Sequence, residues 1–215
     1  MTGIRILALA ALAGLAAACG KVNESSGVSH DHAAHAALSS APAPGSEQQA
    51  LVVFSDAAMF DQTGAERHLQ SDVIGSRIVV VDFIFTSCQT ICPVTTSLLA
   101  EARGRLKDVP AEDLVFISMS VDSAVDTPER LAAFAASRKA DWTFLTGDKP
   151  VMDEALTLLN AYSTNPENHT AMILIGDAAT NRFSRIYGMP DPDFVEARVR
   201  ELIAARAQGA SLHSH

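Results

Sequence analysis

Between Ile78 and Thr96 the chain reads IVVVDFIFTSCQTICPVTT, and this stretch limits the possible folds more than any other. The run from Ile78 to Phe85 is apolar and rich in β-branched residues, broken only by Asp82. Such a run suits a strand covered on both faces, as in a parallel sheet with helices on each side. Two cysteines, Cys88 and Cys92, follow at the strand's C-terminal exit, the edge where open α/β sheets place their ligands. Pro93 lacks an amide hydrogen and is tolerated in a helix's first turn. A helix is therefore expected to begin close to Cys92 and to run through Leu98, Leu99 and Leu106.

Both sulfurs are then expected near a helix N-terminus, where partial positive charge favours thiolate over thiol. Three residues separate the cysteines, against the two of a C-x-x-C redox motif. Inside one regular helix their Cβ atoms would lie about 5–6 Å apart, whereas a relaxed disulfide wants roughly 3.5–4.5 Å. Two thiolates on one metal ion, with bonds of about 2.3 Å, sit roughly 4 Å apart, which this spacing reaches. Because Cys88 falls in the loop before the helix, a disulfide and a metal site both remain open.

The chain has 215 residues and 48% hydrophobic content, enough for one ordinary domain between processed or disordered ends. Its formal net charge of -9 argues against a nucleic-acid backbone as partner. At the N-terminus Arg5 precedes an unbroken run of Ile, Leu, Ala and Gly, too short for a comfortable membrane span and typical of a signal peptide. The run closes on Leu15, Ala16, Ala17, Ala18, Cys19 and Gly20, which resembles a bacterial lipoprotein cleavage box with Cys19 acylated; ordinary signal-peptidase cleavage is the alternative. Either way the chain is exported. The lipoprotein resemblance implies a lipid anchor on the periplasmic side of a bacterial membrane, leaving Cys88 and Cys92 as an even pair in an oxidising compartment.

The expected organisation is a signal peptide over 1–18, a flexible tether over 19–50, a folded domain over 51–207 and a disordered tail over 208–215. His30, Asp31, His32 and His35 in the tether, and His213 and His215 in the tail, are either solvated or loose metal traps, and neither tail is taken as a site. Phe60 to Leu69 suggests a β-hairpin turning at Gly64, with His68 on the strand surface, and Ser71 to Ser76 a short connection. Leu114 to Val121 is a second buried strand. Thr127, Pro128 and Glu129 open a helix whose apolar face carries Leu131, Phe134 and Ala135. Trp142 to Leu145 is a third strand, and Pro150 to Tyr162 a helix with Val151, Ala155, Leu158 and Leu159 inward. Ala171 to Ile175 and Arg182 to Tyr187 pair across a turn before a last helix from Asp191 to Ala207. This order predicts an α/β, thioredoxin-like fold with an extra N-terminal β-hairpin.

Three blocks carry a family resemblance: Phe85 to Pro93 with its C-x-x-x-C-P; Ser120 to Asp122 with Asp126, Thr127, Pro128 and Glu129; and Leu145 to Asp148. Together, in this order, they resemble the Sco/SenC family, and the likeness spans roughly Val53 to Ile203. Family members are copper-binding, thioredoxin-fold proteins that help to build the binuclear copper centre of cytochrome c oxidase. The resemblance implies one copper ion held by Cys88, Cys92 and a remote histidine placed just before a strand. His169 fits, as the only histidine between His68 and the C-terminal tail. Two soft thiolates and an imidazole suit Cu(I), and the same two cysteines would form a disulfide when oxidised. Implied partners are the oxidase subunit that carries the copper centre and other periplasmic copper or thiol-redox proteins.

The chain departs from the family pattern at two places: Gln89 and Thr90 stand where Pro-Asp is common, and the short loop from Tyr162 ends in Asn168-His169 in place of Asp-His. Asp122 and Asp126 are expected near the site, as electrostatic neighbours or as loop and capping residues. The alternative function is a periplasmic thiol-disulfide oxidoreductase, in which one cysteine attacks and the other resolves. A thiol peroxidase is a weaker third reading, because Phe85 stands where peroxiredoxins carry a threonine.

Overall fold

The computed structural model describes residues 42–212. The predicted signal peptide, Cys19, the tether histidines, His213 and His215 all lie outside the described residues. Eight strands form one sheet in the order β1-β8-β7-β4-β5-β6-β2-β3. They are β1 (Glu47–Ala50), β2 (Ala58–Asp61), β3 (Glu66–His68), β4 (Ile78–Ile84), β5 (Leu114–Ser120), β6 (Thr143–Thr146), β7 (Met172–Asp177) and β8 (Arg182–Tyr187). The helices are α1 (Ile91–Arg105), α2 (Pro128–Arg138), α3 (Lys149–Leu158) and α4 (Pro192–Leu212).

All seven residues of β4 are buried, as expected of a strand covered on both faces. It pairs in parallel with β5 on one side and antiparallel with β7 on the other, and β5 pairs in parallel with β6. The β2–β3 hairpin adds to β6 and extends the sheet, which gives the mixed thioredoxin-like architecture with its N-terminal hairpin. Parallel strands need crossovers, and α1 and α2 supply them between β4, β5 and β6. α1 packs against α4 and α2, and α3 rests on β2. Thr127 caps α2 by accepting a hydrogen bond from the Arg130 amide, with Pro128 as the first helical residue.

Several details differ from the sequence reading. β1 lies inside the stretch assigned to the tether, because the polar segment Glu47–Ala50 has no apolar signature. It is ordered by backbone pairing with β8, by Gln49 donating to Ser184 and by the Glu47–Arg198 ion pair. Leu69 begins a π-helical turn, Leu69–Ile74, and is not part of the return strand. α3 stops at Leu158, short of Tyr162, where Asn160 adopts a left-handed conformation (φ 55°) and the Ala161 amide reaches back to the Leu156 carbonyl. Its buried stripe is Met152, Ala155, Leu156 and Leu159, at the i, i+3, i+4, i+7 spacing, so Val151 is only partly covered and Leu158 is exposed. α4 runs on to Leu212, into the stretch read as a disordered tail.

Candidate metal centre

β4 delivers the chain to the edge of the sheet, and the segment from Phe85 to Thr90 turns there before α1 begins. The Cys88 amide donates to the Phe85 carbonyl, which closes the turn. Asp126 clamps it from the far side: its buried carboxylate accepts hydrogen bonds from the Thr86 amide (3.1 Å), the Thr86 hydroxyl (2.5 Å) and the Ser120 hydroxyl (2.7 Å). Asp126 is thus neither a solvated loop residue nor a helix cap; it ties the cysteine loop to the end of β5. Asp122 sits half-covered nearby, its carboxyl raised by burial and then by the Asp126 charge.

Cys92 lies in the first turn of α1, and its amide points at the Cys88 sulfur, 3.4 Å away. The Thr90 hydroxyl stands 3.9 Å from the same sulfur. Both cysteines are free thiols, 9% and 2% exposed respectively. Burial alone would raise the Cys88 thiol, but hydrogen bonds from the Cys92 thiol, the Cys92 and Thr90 amides and the Thr90 hydroxyl outweigh it and hold the thiol below its ordinary value. The expectation that the helix terminus activates both sulfurs fails for Cys92. Burial pushes its thiol up to about 12, and Cys88 and Asp82 add to the rise. Inside the first turn, Cys92 loses more by desolvation than it gains from the helix end.

Asp82 was only an interruption in an apolar strand. It is fully buried in β4 with Ser118 donating to one carboxylate oxygen and no partner for the other. The Trp142 indole donates in turn to Ser118 (2.9 Å). Burial pushes the Asp82 carboxyl up to about 7, against the smaller opposing effect of Ser118. A charged residue in an otherwise apolar β-branched run was the available signal.

His169 follows a 3-10 turn, Pro166–Asn168, and its ring meets Phe85 edge-on with centroids 5.6 Å apart. Its Nδ1 donates to the Pro166 carbonyl (2.8 Å), which places the proton on Nδ1 and leaves the Nε2 lone pair available to a metal. Cys88, His169, Glu167, Phe85 and Gln89 line one cleft of about 290 Å³. The structure therefore brings His169 to the cleft that Cys88 lines and stacks Cys92 behind it. Among the described residues, however, no three His, Cys, Asp or Glu side chains already converge as a metal-holding group. His68 stays on the surface of β3, with its Nδ1 at the Asp56 carbonyl.

A family model described as SCO1/SenC matches residues 47–204. The chain belongs to the SCO1/SenC family. A Sco relative from Bacillus subtilis (strain 168), the SCO1 protein homolog, is 35% identical over 120 residues, covering 53% of this chain and 60% of the relative. The chain thus matches less than two thirds of that relative's length. Among solved Sco structures, BsSco belongs to the Sco family of cytochrome c oxidase assembly proteins and has an identified disulfide switch. It aligns with TM-score 0.57 at 27% identity, over 69% of this chain and 93% of its own. Bradyrhizobium japonicum ScoI, solved with copper bound, aligns with TM-score 0.60 at 20% identity, over 71% and 99%. At that identity the likeness establishes the fold.

Proposed function

We propose that this SCO1/SenC protein is a copper chaperone, with Cys88, Cys92 and His169 holding one copper ion for delivery to the binuclear copper centre of cytochrome c oxidase. The observation that carries this reading is the shared cleft: Cys88 and His169 line it together, and the Cys92 amide lies on the Cys88 sulfur. The donor set fits the cargo, since two thiolates and a neutral imidazole form a soft, low-coordinate site suited to Cu(I). Loading displaces the proton of Cys92, which is bound tightly in the metal-free protein. It also requires the His169 loop to close on the sulfurs. Copper leaves by stepwise exchange of these ligands for Cys and His of the acceptor. Acylation at Cys19 would hold the domain at the periplasmic face of the membrane; no helix among the described residues is long and apolar enough to cross one.

Titration of the reduced chain with copper tests the reading. One ion should bind with thiolate-to-copper absorption, abolished in Cys88→Ser or Cys92→Ser and greatly weakened in His169→Ala. Unchanged binding in the cysteine variants refutes it. Thiol-disulfide exchange is the second reading, favoured by the asymmetry of the pair: an activated Cys88 beside a buried Cys92 suits nucleophile and resolving thiol. His169→Ala separates the two, because exchange needs no imidazole at that distance along the chain.

A further inference from the structure

Cys88 opens on a second cleft, larger than the first at about 590 Å³, which shares Cys88, Gln89 and Thr90 with the histidine cleft but contains neither His169 nor Glu167. Its remaining wall comes from Thr86, the start of α1 and α2, with Val94, Phe134, Arg130 and Arg138 facing it. No carboxylate lines this cleft. Arg130 donates through Nε to the Thr86 hydroxyl, and its nearest acid, Asp126, lies 4.0 Å away with its oxygens already engaged by Thr86 and Ser120. Arg138 has no ion-pair partner among the described residues, and its Nε is buried without a hydrogen bond. Arg67, Arg105, Arg198, Arg200 and Arg206 pair with carboxylates elsewhere, whereas Arg77, Arg103, Arg182 and Arg185, like Arg138, form no ion pair among the described residues. In a chain of net charge -9, a cleft beside Cys88 that two guanidinium groups line and no carboxylate does, Arg138 unpaired and Arg130 4.0 Å from the buried Asp126, is a local reversal of charge.

We propose that this second cleft is a docking groove for an acidic, cysteine-bearing segment of a thiol-redox protein, which reduces the Cys88–Cys92 disulfide through Cys88. This rests on the reading of Cys88 and Cys92 as one functional pair, and it assigns the two clefts different ligands, metal on the His169 side and partner thiol on the arginine side. Charge complementarity selects the occupant: the guanidinium groups offer planar, paired donors that match carboxylates. The exposed Val94, at 44%, gives an apolar contact for the segment's backbone and side chains. In the reaction the partner thiolate attacks the Cys88 sulfur of the disulfide. The Cys88–Cys92 bond breaks, Cys92 leaves as a thiolate and takes up a proton from water, and a mixed disulfide joins Cys88 to the partner. A second partner thiolate then attacks the partner's own bridging sulfur and releases Cys88. Two electrons pass to this chain, and the partner ends as a disulfide.

The test uses the oxidised full chain and peptides with two cysteines flanked by Glu, by Ser or by Lys, each rate being normalised to that peptide's rate with a small neutral disulfide. Despite the chain's overall negative charge, the Glu peptide should reduce the parent at least ~10-fold faster than the Lys peptide at low salt. This preference should collapse toward unity in ~0.5 M salt. Arg138→Gln should lose much of the preference, and Arg138→Gln with Arg130→Gln nearly all of it, with thermal midpoints measured alongside. Equal rates for the three peptides in the parent, or a preference unchanged in the double variant, overturn the proposal. A free acidic amino-acid thiol showing the same selectivity as the Glu peptide also overturns it, in favour of a small anionic thiol. Copper titration separates the two readings: a reduced parent chain that binds no copper yet keeps the peptide preference refutes the copper site alone, and arginine variants that lose the preference should still bind copper as the parent does.

Discussion

Asp82 is the one charged residue of β4, and its burial gives the fold a pH-dependent contribution to stability. In the unfolded chain its carboxyl ionises near 3.8, whereas burial holds it protonated in the folded protein up to about 7. Through that window the native state keeps a proton that the unfolded state has released, so stability falls as pH rises and the loss is complete above about pH 7. A carboxyl moved from 3.8 to about 7 corresponds to a cost on the order of 4 kcal/mol at high pH. Asp82→Asn should accordingly be close to neutral at pH 4 and stabilising at pH 8, measured by urea unfolding of the reduced, metal-free protein. An effect of the same size at both values would count against it. The cysteines give a second expectation at this scale. Iodoacetamide at neutral pH should label Cys88 at least ~10-fold faster than Cys92, and Cys88→Ser should leave the domain almost unreactive, as read by mass spectrometry.

At the scale of elements, the β7–β8 hairpin decides where the chain from His169 enters the sheet. Gly176 pairs with Phe183 across it, and a Cβ at Gly176 would collide with the Phe183 ring and the Arg182 carbonyl. Gly176→Ala should therefore destabilise the domain by about 1–3 kcal/mol or more. Gly147→Ala, whose methyl would meet Met59 and Met152 at ordinary contact distance, is the control and should be far milder in the same unfolding experiment. β4, β5 and α2 were legible from sequence because burial on both faces and the Thr127-Pro128 cap leave strong local marks. β1 and the end of α3 were not. The former is polar and held by pairing with residues more than 130 positions away, and the latter depends on a left-handed Asn160 that hydrophobic spacing does not register.

Across the whole molecule, copper binding as proposed requires residues 88, 92 and 169 to close from a shared cleft into one coordination sphere. Hydrogen exchange should read that closure: amides of residues 160–171 should exchange more slowly after copper loading, and Cys92→Ser should remove the protection. Protection spread evenly over the domain, or absent from this segment, would contradict the loop closure.

Sequence by itself determined the order of the main strands and helices from β4 onward and the position of the cysteine pair at a strand exit, because each is marked by neighbouring residues, and it singled out His169 as a candidate through motif blocks in a fixed order. The tertiary structure alone decided which cysteine is activated, that Asp126 clamps the loop across forty residues, and that Arg130 and Arg138 face a cleft on Cys88 that no carboxylate lines. Desolvation and charge pairing depend on which side chains the fold packs around a group, and those neighbours come from distant parts of the chain.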